Sequence, residues 1–426
     1  MFVLGVVVCA VLFAIGAPLY VAFGLGGLVI LMFHVGMSLK QLSMMFFGSL
    51  DSFILLAAPL FILAGNLMLQ GRIGKPLVDF LGSFTTRVPG GLGITSVLAS
   101  LFIGALTGVI PATLAVVGLI MFPAMIAAGY PRSFSSGVLC ASSNLGNLIP
   151  PSIGFILLGF LTGASVGKLF IAGIMPGVLL AAAFAITVMV IAKRQKFPSM
   201  PAVSWRERGS LFIRALPGIF MPIIILGGIY SGMFTPTEAA AVAVVYCFII
   251  SAVINRGINW KATWTSLTDT VRITTFIMVL IAGALVLGKA FALVGFTRAI
   301  TDWVVVAGLG PMGFLLLLIA VFIAMTFIMD PTAMIFVVIP LIMPTVAALD
   351  INLIHLCVIL IVAASVGVTT PPMAVHLYIT AGMFDVPVEE VMRGVLPFLV
   401  VLTIVLFIIV LFPQISTWLP GTMMGG

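Results

Sequence analysis

Apolar stretches long enough to cross a lipid bilayer recur along this chain from one end to the other. A helix needs about 20 mainly apolar residues to span a hydrocarbon core of roughly 30 Å. Only 7% of the 426 residues are charged, whereas soluble globular domains carry about 25%. In lipid each segment must satisfy its own backbone polar groups, so these stretches predict helices rather than open sheets. We therefore expect an all-α polytopic membrane protein.

Positive charge is concentrated in the longest polar segment of the chain. Between Lys193 and Arg214 lie six basic residues and one Glu. By the positive-inside rule, this segment is cytoplasmic. Beside a membrane span, such charge typically contacts anionic lipid. No nucleic-acid-binding motif accompanies it, so we expect membrane lipid and no nucleic acid as a partner.

The sequence contains an internal repeat. Gly36 and Lys40 correspond to Gly257 and Lys261, with 221 positions between the members of each pair. The same spacing relates Pro123 to Pro344, Gly146 to Gly367, Pro150 to Pro371, Pro151 to Pro372, Gly173 to Gly394 and Pro176 to Pro397. Secondary transporters commonly consist of two related halves. We predict a first repeat at 1–192, a basic linker at 193–214 and a second repeat at 215–426.

Each repeat contains a Pro-Pro pair inside an apolar segment, Pro150-Pro151 in the first and Pro371-Pro372 in the second. Proline has no N–H and disfavours helical geometry at the preceding residue, so nearby carbonyls lose their helical donors. Non-helical backbone persists at membrane depth only when protein buries it or when it lines a cavity. In secondary transporters such carbonyls coordinate Na⁺, and half-helix N-termini face anionic substrates. The alternative is a pair of kinks that serve packing alone.

Small polar residues at both breaks add neutral oxygen atoms. We predict that these residues and the prolines bind substrate or couple its movement to the ion: Asn144, Asn147, Pro150, Pro151, Ser365, Thr369, Pro371 and Pro372. Their position in register across the duplication favours a binding site over kinks alone.

Ionisable residues inside apolar stretches require a partner or a cavity. Asp330 precedes Pro331 and is a further candidate for substrate or ion binding; its alternative role is the N-cap of the following helix. Lys289 either meets a carboxylate substrate or extends to the membrane interface. Glu238 lies three residues after Thr235, which predicts a capping box at a helix start.

The segments GGIYSGMFTPTEAAAVAVVY, APLFILAGNLM, ASSNLGNLIPPS and SVGVTTPP resemble the large membrane subunit of tripartite ATP-independent periplasmic (TRAP) transporters. The resemblance runs nearly end to end. It implies a Na⁺-driven importer of an organic acid in the bacterial inner membrane, with sialic acid favoured and C4-dicarboxylates as the alternative. It also implies a small membrane subunit (Q type) and a periplasmic substrate-binding protein (P type) as partners. The implied fold has inverted halves, two helical hairpins, broken helices and an elevator-type transport domain that moves against a scaffold.

The resemblance further implies two Na⁺ sites. Their ligands would be Gly146, Ile149 and Ser152 at the first break and Gly367, Thr370 and Met373 at the second. One segment departs from the family pattern: residues 108–113 read GVIPAT, where many members have a GSSxAT run. Hydroxyl ligands are therefore not transferred to those positions.

Three other classes of function fit the sequence less well. An ion channel also presents carbonyl oxygens, but its pore usually lies on the axis between symmetric subunits, whereas this chain has two separate breaks. An intramembrane enzyme would need a nucleophile with a base, or metal ligands, and the sequence contains no HExxH motif. The chain also lacks the phosphate-binding loop of an ATP-driven pump.

Overall fold

The computed structural model describes residues 2–198, 203–254, 257–371 and 374–424, and within these ranges every regular element is a helix. The first half contains α1 (Phe2–Ala14), α2 (Leu19–Ile30), α3 (Leu39–Gly48), α4 (Ala57–Gln70), α5 (Gly74–Thr85), α6 (Gly91–Thr107), α7 (Ile110–Ala127), α8 (Arg132–Ser142), α9 (Leu145–Leu148), α10 (Ile153–Thr162) and α11 (Val166–Gln195). The second half contains α12 (Trp205–Tyr230), α13 (Pro236–Ile249), α14 (Trp260–Leu293), α15 (Phe296–Val306), α16 (Pro311–Thr326), α17 (Pro331–Ala348), α18 (Leu353–Thr369), α19 (Val375–Phe384), α20 (Val388–Leu411) and α21 (Gln414–Met424). Short π-helical segments, Leu31–Val35 and Ile250–Ile254, extend α2 and α13, and a 3₁₀ turn, Phe53–Leu56, precedes α4.

Several helices begin where the sequence offers a capping side chain. Oxygen atoms of the side chains accept hydrogen bonds from backbone N–H groups of the first turn of α10, α11, α13, α14 and α18, and the capping residues are Ser152, Ser165, Thr235, Asn259 and Asn352. These bonds satisfy donors that the start of a helix leaves free. At α13, Thr235 and Glu238 form the predicted capping box.

Among the described residues, seven helices are long and apolar enough to cross a membrane, and an eighth span results when one bent helix pair is counted as a single crossing. The seven are Phe53–Gln70, Ile110–Ala127, Val166–Gln195, Trp205–Tyr230, Pro236–Val253, Trp260–Leu293 and Val388–Leu411. The bent pair joins Arg132–Leu148 to Ile153–Thr162 at 42°. The predicted all-α polytopic fold with broken helices is therefore confirmed.

The order of the helices repeats in the two halves. α6 and α7 form one hairpin and α16 and α17 form the other; a broken helix and a long closing helix follow each hairpin. The halves are not identical, and one difference concerns α14. Residues 260–293 form the single helix α14, whereas the corresponding part of the first half is divided into α3 and α4. The predicted basic linker is largely helical, because α11 continues to Gln195 and α12 begins at Trp205.

Corresponding helices exchange partners between the halves. α2 of the first half packs against α14 of the second, and α13 of the second packs against α4 of the first. Likewise α10 contacts α17 and α18, while α19 contacts α7 and α8. Each contact has a counterpart with the halves exchanged, as in a two-fold arrangement. The inverted orientation of the halves and the elevator movement remain predictions from the family resemblance.

The apolar interior forms two clusters. The larger cluster contains the inner faces of the hairpins, the broken helices and the long helices α11 and α20. The smaller one joins α2 and α14 to the helices beside the breaks, through Ile153 and Leu157 of α10 and Ala333 and Phe336 of α17. The first break and the tip of the second hairpin therefore lie where the two clusters meet.

Candidate coupling-ion and substrate site

The first break separates α9 from α10 at Pro150 and Pro151, and the peptide bond between these two prolines is cis. Because neither proline has an N–H, the carbonyls of Gly146 and Asn147 cannot receive the hydrogen bond of a continuous helix. The Ser152 hydroxyl donates to the Asn147 carbonyl at 2.5 Å and replaces one missing donor. The Gly146 carbonyl is left without the donor that a continuous helix would supply.

The tip of the α6–α7 hairpin packs against Gly146. A Cβ atom added to Gly146 would overlap the Thr113 hydroxyl and lie 3.1 Å from the carbonyl oxygen of Val109. Thr113 donates to that carbonyl at 2.9 Å, and its hydroxyl lies 2.8 Å from the hydroxyl of Thr107. A carbonyl and a hydroxyl oxygen of the hairpin therefore lie against Gly146 at the first break.

The α6–α7 hairpin also contacts the residues that follow the first break. The backbone N–H of Ile153 donates to the carbonyl of Gly108 at 3.1 Å. Gly108 has a φ of +67°, and a Cβ atom there would lie 2.6 Å from the carbonyl oxygen of Pro151. Glycine is needed at this tip both for its backbone conformation and for the close approach.

The second break lies between α18 and α19, and it repeats the contact with a hairpin. A Cβ atom added to Gly367 would overlap the methyl group of Thr326, at the end of α16. Each hairpin thus packs against the break glycine of its own half. Pro372 and Met373, two of the predicted site residues, lie outside the described residues.

Hydroxyl groups at the second break are turned toward the helix that precedes it. Thr369 donates to the carbonyl of Ser365, and Thr370 donates to the carbonyl of Val366 at 2.6 Å. The Gly367 carbonyl accepts from the backbone N–H of Thr370 at 3.2 Å. Pro371 follows half-buried at the end of this turn.

A cavity of about 180 Å³ opens beside the second break. Its lining comes from the hairpin tip, at Thr326 and 328–331, and from Gly367, Val368 and Val375. Asp330 is half-buried, and its carboxylate accepts from the backbone N–H of Ala333 at 3.2 Å. The carboxylate therefore caps α17 and also lines the cavity, so both predicted roles are compatible with its position.

Lys289 is not brought to this cavity. Its side chain is exposed on α14, and the residue does not belong to the described lining. An exposed position on a membrane-spanning helix favours the predicted extension of the ammonium group to the interface over contact with substrate.

Two hydrogen bonds join the breaks to each other. Ser143 Oγ lies 2.9 Å from His376 Nε2, and Asn144 Nδ2 donates to Thr369 Oγ1 at 3.4 Å. The other amide atom, Asn144 Oδ1, is buried and has no hydrogen-bond partner among the described residues. An orphaned buried acceptor is rare in folded proteins and is compatible with a bound cation.

The oxygen atoms near the first break are of the kind that a hard monovalent cation prefers. The Gly146 carbonyl, the orphaned Asn144 amide oxygen and the threonine hydroxyls of the hairpin are all neutral, and hard cations prefer oxygen ligands. The sequence predicted the break itself but missed Thr107, Thr113 and His376. For the two threonines, a signal was present in the TG and PAT residues that flank the hairpin tip.

Comparison with known proteins identifies the family. The family model described as "Tripartite ATP-independent periplasmic transporter, DctM component" matches residues 6–415. The chain is 37% identical over 396 residues to the C4-dicarboxylate TRAP transporter large permease protein DctM of Pseudomonas aeruginosa, across 93% of this chain and 92% of that protein. It is 32% identical over 378 residues to the sialic acid TRAP transporter large permease protein SiaM of Vibrio cholerae, across 89% and 88% of the two chains.

The fold is similar to that of a solved transporter. The crystal structure of the Alcanivorax borkumensis YdaH transporter matches with a TM-score of 0.60 at 16% identity, across 88% of this chain and 87% of that one. At this identity the similarity concerns the fold alone. The family match and the apolar spans identify a multi-pass protein of the bacterial inner membrane, and membership of this family implies a transporter rather than an enzyme. The chain belongs to the DctM family and is a large permease subunit of a TRAP transporter.

Proposed function

We propose that this subunit imports an organic acid together with Na⁺, that it works with a small membrane subunit, and that a periplasmic binding protein delivers the acid. The proposal rests mainly on the two hairpin tips, each of which packs against the break glycine of its own half. At these places prolines free backbone carbonyls from the helix, and protein buries the freed backbone. Such an arrangement binds small cations in secondary transporters.

At the first break the proposed ligands are Gly146, Ile149 and Ser152, all buried. The Ser152 hydroxyl donates to the Asn147 carbonyl, whereas the Gly146 carbonyl has no helical N–H donor because residue 150 is proline, and this carbonyl would bind the cation. At the second break the proposed ligands are Gly367, Thr370 and Met373, by the repeat spacing of 221 residues.

Charge at the cavity supports coupling between ion and substrate. The Asp330 carboxylate lines the cavity beside Gly367, so an anionic substrate that entered alone would meet a like charge. Opposite charges at 4 Å attract by about 4 kcal/mol at an effective dielectric constant of 20, and like charges repel equally. A cation at the second break would compensate for this repulsion, and the acid would then bind favourably only with the ion present.

Among organic acids, the C4-dicarboxylates are the first class to test. The relative with 37% identity is named for C4-dicarboxylates, whereas the relative named for sialic acid is 32% identical. This difference shifts the preference away from sialic acid, which the family resemblance favours, and toward C4-dicarboxylates. Both classes carry the carboxylate that a half-helix N-terminus attracts.

We also propose the elevator movement. The smaller apolar cluster joins α2 and α14 to Ile153, Leu157, Ala333 and Phe336, which lie directly after the first break and the second hairpin tip. Apolar side chains in such an interface can slide past one another without breaking hydrogen bonds. Movement there would carry both breaks together.

Uptake into proteoliposomes tests the coupling. The vesicles contain this chain and its small partner, with the binding protein added outside and radiolabelled succinate or sialic acid as substrate. Uptake should require an inward Na⁺ gradient and should stop when choline replaces Na⁺. Vesicles without this chain measure leakage. Uptake that continues unchanged in choline would refute Na⁺ coupling, and a preference for sialic acid over succinate would refute the substrate class.

A further inference from the structure

Adjacent residues at the first break contact both flanks of the second break. Ser143 bonds to His376, which lies in α19 after the second break, at 2.9 Å. Asn144 donates to Thr369, the last residue of α18 before that break, at 3.4 Å. Two neighbouring side chains of one half therefore hold the ends of both helices that meet at the break of the other half.

The direction of the Ser143 bond follows from its other partner. The Ser143 hydroxyl has one proton and donates it to the carbonyl of Cys140 at 2.7 Å. Its oxygen therefore accepts from His376, and Nε2 of the imidazole carries the hydrogen atom. Ser143 is 0% exposed and His376 is 3% exposed. Loss of either partner would leave a buried polar group unpaired, so the bond should persist whenever these helices are packed together.

Among the described residues, the hydrogen bond between Ser143 and His376 has no counterpart with the two halves exchanged. At the repeat spacing of 221 residues, Ser143 corresponds to Ala364 and His376 corresponds to Phe155. The corresponding pair, Ala364 and Phe155, is therefore apolar and cannot form the hydrogen bond that joins Ser143 to His376. Packing alone does not require a polar pair at such positions. Ala364 and Phe155 fill the corresponding positions, and both are fully or nearly fully buried.

We propose that Ser143 and Asn144 form a clamp on the second break, so that cation binding at the first break increases the cation affinity of the second. His376 is a positioning residue in this clamp. The inference rests on the proposed Na⁺ coupling and adds to it a positive interaction between the two breaks. By linkage, occupancy of the second break strengthens binding at the first by the same factor.

Four variants test the clamp: Ser143→Ala, His376→Phe, the double variant with both changes, and His376→Gln. The double variant reproduces the residues that the chain itself carries at the corresponding positions of the other half. Glutamine keeps an N–H donor at nearly the same distance from the backbone as Nε2. Proteoliposome uptake is measured over a range of Na⁺ concentrations at saturating substrate, and the substrate KM is measured at saturating Na⁺.

The three variants that lose the bond should raise the Na⁺ concentration for half-maximal uptake roughly fivefold to tenfold, the effect of one buried hydrogen bond. Their Hill coefficient for Na⁺ should fall toward 1, while the KM at saturating Na⁺ stays within about twofold of wild type. The double variant should shift the Na⁺ dependence no further than the single variants, because all three lose the same bond. His376→Gln should restore most of the wild-type Na⁺ dependence.

Other outcomes would overturn the clamp. A wild-type Hill coefficient in the double variant, or single-variant effects that simply add, would show that the two residues do not act through a shared bond. Wild-type uptake that needs Na⁺ would preserve the proposed function in that case, whereas Na⁺-independent wild-type uptake would remove both proposals. Size-exclusion profiles and melting temperatures identify a misfolded variant; if His376→Phe misfolds, Ser143→Ala removes the same bond with a smaller change and decides the question.

Discussion

Gly146 has no room for a side chain. Changing it to Ala would push a methyl group into the Thr113 hydroxyl and toward the Val109 carbonyl, both at the first hairpin tip. Overpacking of this kind typically costs about 1 to 3 kcal/mol. We expect Gly146→Ala to lose most Na⁺-dependent uptake while the protein still inserts and purifies, as measured in proteoliposomes and by size-exclusion chromatography.

The matched control is Gly382→Ala. Gly382 also lies in a helix that borders a break, but a Cβ atom there has no neighbour within 4 Å among the described residues. This variant should transport at the wild-type rate. If both variants transported normally, close packing of the hairpin tip on the break would not matter for function.

Ser152 has two roles in one hydroxyl group, the cap of α10 and the donor to the Asn147 carbonyl. Ser152→Ala loses an N-cap worth about 1 kcal/mol and leaves that carbonyl without its substitute donor. Ser165 caps α11 in the same way at 3.4 Å but lies on the surface, away from the breaks. We expect both Ala variants to melt at lower temperature in thermal unfolding, with the larger drop for Ser152→Ala.

Na⁺ dependence separates these two serines further. Only Ser152→Ala should raise the Na⁺ concentration for half-maximal uptake, because only Ser152 sets the carbonyls of a break. An equal shift in the Ser165→Ala variant would mean that general destabilisation, rather than the geometry of the break, controls ion binding.

Sequence reasoning located the break residues but not their partners. Pro150 and Pro151 identify carbonyls that lack a helical N–H donor, because the missing N–H is a property of proline itself. The bond between Ser143 and His376 joins residues 233 positions apart, and no local pattern indicates which buried hydroxyl an imidazole will meet. Asp330 lies between these cases, since Asp before Pro predicts a cap and only the fold places the same carboxylate at a cavity.

We expect function to depend more on the helix breaks than on the other elements. Replacing Pro150-Pro151 with Ala-Ala returns two N–H donors, to which the carbonyls of Gly146 and Asn147 can bond in a continuous helix. We expect this variant to insert into the membrane but to abolish uptake, because the carbonyls no longer face a cation. Uptake per unit of reconstituted protein is the measurement.

Prolines inside an unbroken helix provide the comparison. Pro217 and Pro222 lie within α12, which runs from Trp205 to Tyr230 without interruption. Replacing both with Ala should leave uptake near the wild-type rate. Wild-type uptake in the Pro150-Pro151 variant as well would refute the assignment of the first break as a site.

The internal duplication predicted more about the arrangement of the helices than the hydropathy of the sequence did. The repeat spacing anticipated two interrupted segments per half, and the structure contains a hairpin and a broken helix in each. It did not anticipate that α14 would be one helix of 34 residues where the first half has two helices. Asn259 caps the start of α14, and the sequence from Trp260 to Leu293 has no proline, whereas Gly48 and Asp51 lie where the first half divides.

The whole molecule has a defined orientation in the membrane if the basic segment is cytoplasmic. α12 has 26 residues, and at about 1.5 Å per residue it spans roughly 39 Å, enough to cross the bilayer. Exposed residues Ser210 and Ser231 lie toward its opposite ends. A membrane-impermeant maleimide should label Ser210→Cys only in inside-out vesicles and Ser231→Cys only in right-side-out vesicles.

The native cysteine thiols determine the background labelling in this experiment. Cys140, Cys247 and Cys357 are buried and Cys9 is partly buried, so the unmodified chain should label weakly on both sides. The reverse pattern of labelling, with Ser231→Cys labelled from the cytoplasm, would contradict the positive-inside assignment. It would mean that the molecule has the opposite orientation in the membrane.

The exchange of partners between α2 and α14 has a consequence for biosynthesis. Ribosomes add about 5 to 20 residues per second, and more than two hundred residues separate these helices. The newly made first half therefore waits on the order of ten to fifty seconds with its binding face for α14 open to lipid or to an insertion chaperone. Two separately expressed halves would each carry such an unfilled face, so each would depend on the other to mature.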